Sequence, residues 1–120
     1  MGRRRQERDD NRDLLAGTLD MLILQIVRGG PVHGLQIAQQ IEQQSGHTLL
    51  VEQGSLYPAL RRLEDRGWLT ARWGFSDTNR RARFYSITPS GRDQLRAETD
   101  RWELLTKAVT RVMKPVRVKG

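Results

Sequence analysis

The stretch Gln53-Gly-Ser-Leu-Tyr-Pro-Ala-Leu-Arg-Arg-Leu-Glu-Asp-Arg-Gly67 decides how the rest of the chain is read. Leu56, Leu60 and Leu63 fall at i, i+4, i+7, the spacing of one apolar stripe on a helix. Tyr57 and Arg61 share a second stripe with Arg62 beside it, which predicts that all three face outward together. Pro58 lacks an N–H and fits only near a helix start, so the helix is expected to run from about Gly54 to Arg66. Gly67 supplies the left-handed residue that ends it. A helix anchored by leucines and presenting a phenol and two guanidinium groups suits the DNA major groove. Arg there donates in bidentate fashion to guanine while other side chains hold phosphates. A surface helix with merely solvated arginines would carry the same pattern, so the flanking segments decide.

On the C-terminal side, Trp68-Leu-Thr-Ala-Arg-Trp73 and Arg81-Ala-Arg-Phe-Tyr-Ser-Ile87 read as two strands, rich in aromatic and β-branched residues. Gly74-Phe-Ser-Asp-Thr-Asn-Arg80 between them is rich in turn residues. A basic hairpin after a helix-turn-helix is a wing. Arg80, Arg81 and Arg83 are expected to flank its tip, close to the adjacent DNA backbone or minor groove. A charged edge that discourages strand aggregation would look the same. Thr88-Pro-Ser-Gly then opens a last helix, with Thr88 as N-cap and Pro89 at its first position, running to about Met113. Leu95, Trp102, Leu105, Val109 and Val112 recur along it as a heptad-like seam. At ~1.5 Å per residue this helix is roughly 35–40 Å long, more than so small a domain can cover. The seam is therefore predicted to meet another subunit.

On the N-terminal side, Thr48-Leu-Leu-Val51 is expected as a short strand. A second helix runs from Leu35 to about Gln44, with Leu35, Ile37, Ala38 and Ile41 apolar and glutamines over the rest. Gly30-Pro-Val-His-Gly34 before it reads as a tight turn. His33 and Gln36 sit at the helix start, where free N–H groups and the dipole favour a phosphate. No metal-ligand partner lies at suitable spacing from His33. The first helix is expected from Asp13, its cap, to Arg28, stopped by Gly29-Gly30-Pro31. Leu15, Leu19, Leu22 and Ile26 form its stripe, widened by Ile23 and Val27. Residues 1–12 carry no apolar residue after Met1 and are expected to form a flexible basic arm. Arg3, Arg4 and Arg5 could reach phosphates or a minor groove, or belong to a solvated tail of mixed charge.

The bulk numbers agree. The chain has 120 residues and a formal charge of +7, from 21 Lys and Arg against 14 Asp and Glu. That excess favours a polyanionic partner such as nucleic acid, although the preponderance of Arg has codon bias as a second explanation. So short a chain makes one domain with a small core, and a dimer interface would supply much of its stability. There is no Cys, hence no disulfide scaffold and no thiolate metal site. No apolar run spans a bilayer and no signal-peptide core follows the basic start. No membrane, cofactor or metal is expected, and the cytoplasm is the expected location. The fold class is mainly α with a small β-wing. It comprises a winged helix-turn-helix over 13–88, a dimerisation helix over 89–113 and a basic tail over 114–120.

At this level the chain resembles the PadR-like transcriptional regulators. The matching residues are Leu19 to Ile26, His33-Gly34, and Gly54-Ser-Leu-Tyr-Pro-Ala-Leu-Arg-Arg-Leu-Glu-Asp-Arg-Gly-Trp-Leu69. Arg83-Phe-Tyr-Ser-Ile-Thr-Pro-Ser-Gly91 and Trp102 complete the match. The resemblance extends over about residues 13–113, and the pairing of Ser-Leu-Tyr-Pro-Ala-Leu with Tyr-Ser-Ile-Thr-Pro-Ser-Gly is its specific part. It implies a cytoplasmic bacterial repressor that dimerises through its first and last helices. Such a protein binds a roughly palindromic operator and is released by small aromatic or cationic compounds. One helix after the wing resembles the short branch of the family. Leu35 departs from the Tyr common after His-Gly, which removes a hydroxyl from the DNA side of the second helix.

The expected function is thus a homodimeric repressor of double-stranded DNA. His33, Gln36, Ser55, Tyr57, Arg61, Arg62, Arg80, Arg81 and Arg83 are the candidate DNA contacts. Leu15, Leu19, Leu95, Trp102, Leu105, Val109 and Val112 are the candidate dimer interface. Trp102 either stacks on a small aromatic effector or fills the dimer seam. A winged-helix module that binds protein without DNA is the alternative, and salt-insensitive or absent DNA binding would mark it. RNA is disfavoured by the lack of a stacking platform on the wing. Only two His, no nucleophile motif and no phosphate-cradling Gly-rich loop argue against an enzyme.

Overall fold

The computed structural model of the chain describes residues 17–114. The arm, Asp13, Leu15 and residues 115–120 of the basic tail lie outside them. Helix α1 covers 17–27 of the described residues. It is followed by β1 (Val32–His33), α2 (Gly34–Gln44), α3 (Gln53–Asp65), β2 (Leu69–Phe75), β3 (Arg81–Ile87) and α4 (Pro89–Met113). The three strands form one antiparallel sheet in the order β1-β3-β2. This is the mainly α, winged helix-turn-helix architecture that the sequence implies.

Helices α1, α2 and α3 meet over Ile23, Leu24, Val27, Ile37, Ile41, Leu56, Ala59, Leu60 and Leu63, and Val32, Leu69, Tyr85 and Leu95 close the cluster. Each aliphatic side chain fully withdrawn from water contributes roughly 1.5–3 kcal/mol, so the α3 leucines fix that helix firmly. In α1 the fully buried line is Ile23, Leu24 and Val27, whereas Leu19, Leu22 and Ile26 are half-buried at its flank. The stripe taken from the sequence as the core face is therefore the edge of an apolar surface wider than the domain covers.

Two local expectations change. Val32–His33 is a strand rather than a plain turn, paired Val32 to Tyr85 and His33 to Phe84. Residues 48–52 hold no regular structure. A two-residue strand exists only because β3 supplies its ladder from far along the chain, which local propensity does not reveal. Helix α3 starts at Gln53, within one residue of the expected Gly54. The Ser55 and Leu56 N–H groups donate to the Glu52 carbonyl at 3.0 and 2.9 Å, so a turn forms ahead of the proline. Pro58 then sits in the second turn and leaves the Gly54 carbonyl without its usual donor.

The end of α3 follows its sequence signal. Gly67 takes φ 75°, its N–H donates to the Glu64 carbonyl at 2.9 Å, and the Trp68 N–H donates to the Leu63 carbonyl at 3.0 Å. This is a Schellman motif, and it turns the chain directly into β2. The start of α4 is built onto the same corner. The Thr88 N–H donates to the Trp68 carbonyl at 3.0 Å and the Thr88 hydroxyl donates to the Gly67 carbonyl at 2.7 Å. That hydroxyl oxygen also accepts from the Gly91 N–H at 2.9 Å, capping α4. A Cβ on Gly91 would lie 2.2 Å from the Trp68 carbonyl oxygen, so only glycine lets α4 seat here.

Beyond this seat α4 leaves the domain. Gly91 and Leu95 are its only buried residues, and the molecule measures 65 × 39 × 28 Å. Leu95, assigned to the seam from its spacing, belongs instead to the core of its own domain, at 6 % exposure. The reason is its position one turn past the Gly91 contact, where α4 still lies against the wing base. Trp102, Leu105, Val109 and Val112 remain exposed, from 43 % at Trp102 to 78 % at Val112.

Candidate nucleic-acid interface

An open groove runs between the start of α2, the outer face of α3 and the wing. His33, Gly34, Gln36 and Gln39 form one side, Tyr57, Arg61, Glu64 and Asp65 the floor, and Trp73, Ser76 to Thr78, Arg80 to Arg83 and Tyr85 the other side. Leucine burial on one face of α3 forces the opposite face into this groove. Tyr57 is 46 % exposed there. Arg61 is exposed as well and makes no ion pair among the described residues.

The α2 side is set by close packing. A Cβ on Gly34 would lie 3.2 Å from Tyr57 Cε1 and 3.4 Å from Leu60 Cδ1, so glycine lets the helix start approach α3. His33 is the N-cap of α2: its Nδ1 accepts from the Gln36 N–H at 3.4 Å. Its ring meets Phe84 edge-on at 5.6 Å. Capping leaves Nε2 as the ring atom free to carry a proton toward a ligand. Gln36 is half-buried behind it. Ser55 lies exposed in the first turn of α3, outside the groove lining, beside Gln53 and Gly54.

Two arginines are not where their sequence stripes put them. Arg62 turns inward, and its Nη2 donates to Asp20 Oδ1 at 2.7 Å while its Nε donates to Oδ2 at 3.4 Å. This forked pair ties α3 to α1. Arg83 is not at the wing tip. It stands opposite Trp73 in mid-strand, and its Nη2 donates to Glu64 Oε2 at 2.9 Å. Its Nε is buried without a partner. Arg83 thus braces the wing against α3. Both partners lie far away in sequence, Asp20 by 42 residues and Glu64 by 19, so neither pairing shows in the local pattern.

Arg80 and Arg81 do flank the tip. The hairpin turn closes with the Ser76 N–H donating to the Arg80 carbonyl and the Asn79 N–H to the Ser76 carbonyl, both at 2.8 Å. Asn79 takes φ 59°, a left-handed position that asparagine tolerates. Neither arginine makes an ion pair among the described residues. Burial raises the Tyr85 phenol above its ordinary value, against the opposing charge of Arg83, so Tyr85 remains a neutral hydroxyl. Trp73 was not singled out from the sequence, where it read only as a strand residue. It is 56 % exposed in the groove, and alternation from the buried Leu69 was the available signal that it shares a face with Arg81 and Arg83.

The residues brought together by this groove are His33, Gln36, Tyr57, Arg61, Arg80, Arg81 and Arg83. The sequence matches the Transcriptional regulator PadR-like family over residues 23–97. The chain belongs to this family. This PadR-like regulator is 33 % identical over 98 residues to a transcriptional regulator of Mycobacterium tuberculosis, covering 82 % of this chain and 88 % of that protein. It is 29 % identical over 77 residues to the negative transcriptional regulator PadR of Bacillus subtilis, covering 64 % of this chain and 42 % of that one. Among solved structures, a transcriptional regulator from Clostridium thermocellum matches with a TM-score of 0.77 at 28 % identity, covering 85 % and 99 % of the two chains. A PadR family transcriptional regulator from Eggerthella lenta matches with a TM-score of 0.71 at 27 % identity, covering 97 % and 99 %. The family and these neighbours are regulators rather than enzymes. Among the described residues, no helix is long and apolar enough to cross a membrane. No group of three or more His, Asp and Glu is placed there to hold a metal ion.

Proposed function

We propose that this PadR-like regulator is a cytoplasmic, homodimeric repressor that binds a two-fold-symmetric DNA operator. The observation that carries the reading is the outer face of α3. Tyr57 and Arg61, which makes no ion pair among the described residues, project from a helix that its leucines immobilise, into a groove continuous with the wing. Arg61 reads a base edge in the major groove, and Tyr57 packs beside it. His33 Nε2 and the start of α2 hold a phosphate on one side, and Arg80 and Arg81 hold the backbone on the other. Ser55 and the first N–H groups of α3 meet a further phosphate. Arg62 and Arg83 act through the fold, by fixing α3 and the wing.

The dimer is supported by the bare apolar face of α4, where Trp102, Leu105, Val109 and Val112 stay exposed among the described residues. Leu19, on the half-buried flank of α1, is the described residue of that helix expected to join them. Two α3 helices carried this way enter successive major grooves about 34–36 Å apart. Repression is favoured by the relative in Bacillus subtilis, a negative regulator by name. Trp102 shares its stripe with Leu105 and Val109, which supports a seam position. A small aromatic effector acting there would quench tryptophan emission in the wild type and not in Trp102→Phe.

The test is selection of random duplexes by the purified protein, with the enriched site titrated across salt. A two-fold-symmetric site with half-sites one turn apart and a steep salt slope bears the proposal out. Absent or salt-insensitive binding would instead mark a winged-helix module that docks on protein.

A further inference from the structure

The wing carries a stack that the DNA-binding reading does not by itself explain. In the hairpin register, Trp73 faces Arg83 and Phe75 faces Arg81. Facing residues of an antiparallel pair share a side of the sheet, so Trp73, Arg81 and Arg83 project together into the groove. The Arg81 guanidinium carbon lies 4.6 Å from the Trp73 ring centroid, and that of Arg83 lies 5.7 Å away. The two arginines are otherwise unlike. Arg83 is committed to Glu64. Arg81 is exposed and bonded to no carboxylate among the described residues.

A guanidinium laid on an indole uses only its flat face. Its in-plane N–H donors stay free to fork onto phosphate oxygens. An unsupported exposed Arg would have to be ordered from many rotamers when DNA arrives, and that ordering weakens the contact. We propose that Trp73 is a positioning residue which holds Arg81 in its phosphate-binding orientation before DNA arrives, so that the wing's grip depends on a side chain that need not touch DNA. The proposal rests on the DNA-interface reading above. It predicts that Trp73 and Arg81 act as one unit.

The experiment is a titration of the full-length protein on its selected duplex at several salt concentrations. Trp73→Leu should bind about three- to tenfold more weakly with an unchanged slope of log affinity against log salt, because no charge is lost. Arg81→Ala should weaken binding and reduce that slope by roughly 1.8, the signature of one lost phosphate contact in each of the two protomers. Adding Trp73→Leu to Arg81→Ala should cost nothing further, since the group it positions is gone. Arg81→Lys keeps the charge but loses the planar fork, and should behave as Trp73→Leu does. It also replaces that variant as the test if Trp73→Leu fails to fold. Wild-type affinity in Trp73→Leu or Arg81→Lys overturns the proposal, and so does additivity in the double variant, which would mean that Trp73 itself packs on DNA. If the wild-type protein binds no duplex even at low salt, the DNA reading and this proposal fall together. That outcome shows in the wild type alone and is distinct from the others.

Discussion

Helices α3 and α4 carry the same kind of apolar stripe and put it to opposite uses. Within its 13 residues α3 buries Leu56, Ala59, Leu60 and Leu63 in its own domain. Across 25 residues α4 buries only Gly91 and Leu95 and leaves Leu105 51 % exposed. Periodicity says that a face is to be covered. Whether the chain can cover it depends on how far the helix extends beyond its own domain. In the proposed function the first stripe immobilises a DNA-reading surface, and the second is left for a partner subunit.

Four substitutions separate the two helices. Leu60→Ala deletes a side chain with no exposed surface and should cost about 2–5 kcal/mol of unfolding free energy, read by chemical denaturation. A smaller loss would mean that α3 collapses onto the cavity. Leu105→Glu should leave the domain folded but weaken self-association by about 2 kcal/mol or more, some 30-fold in dissociation constant. Sedimentation at graded concentrations reads this directly, and an intact dimer would move the seam elsewhere. Gly91→Ala forces a methyl against the Trp68 carbonyl and should cost about 1–3 kcal/mol. Wild-type stability there would show that the base of α4 slides freely. Arg61→Ala should change stability by no more than about 0.5 kcal/mol while weakening operator binding by about 1–3 kcal/mol per half-site and relaxing preference at one base pair in each half-site. Equal weakening on random DNA would reassign Arg61 to a phosphate.

Much of this was legible in the sequence because its causes are local. Gly67 ending α3, Thr88 and Pro89 opening α4, and the leucine stripe of α3 each depend on neighbours within a turn or two. The candidate site was less legible. Arg61 and Arg62 are adjacent and chemically alike, yet only Arg61 points outward, because Asp20 waits beside Arg62 on another helix. Arg83 has the pattern of a tip residue, yet Glu64 and Trp73 hold it in mid-strand against α3. Leu95 fitted the seam by spacing and belongs to the core by position. In each case a partner distant in sequence decides the role of a residue whose own pattern fits two.

The corner formed by Gly67, Trp68, Thr88 and Gly91 has a mechanical consequence. Thr88 is bonded to the last turn before the wing and to the first turn of α4, and Gly91 rests directly on the same backbone. The first turn of α4 is therefore pinned to the corner where α3 ends and β2 begins, so the direction in which α4 leaves the domain is set by the same few backbone groups that end α3.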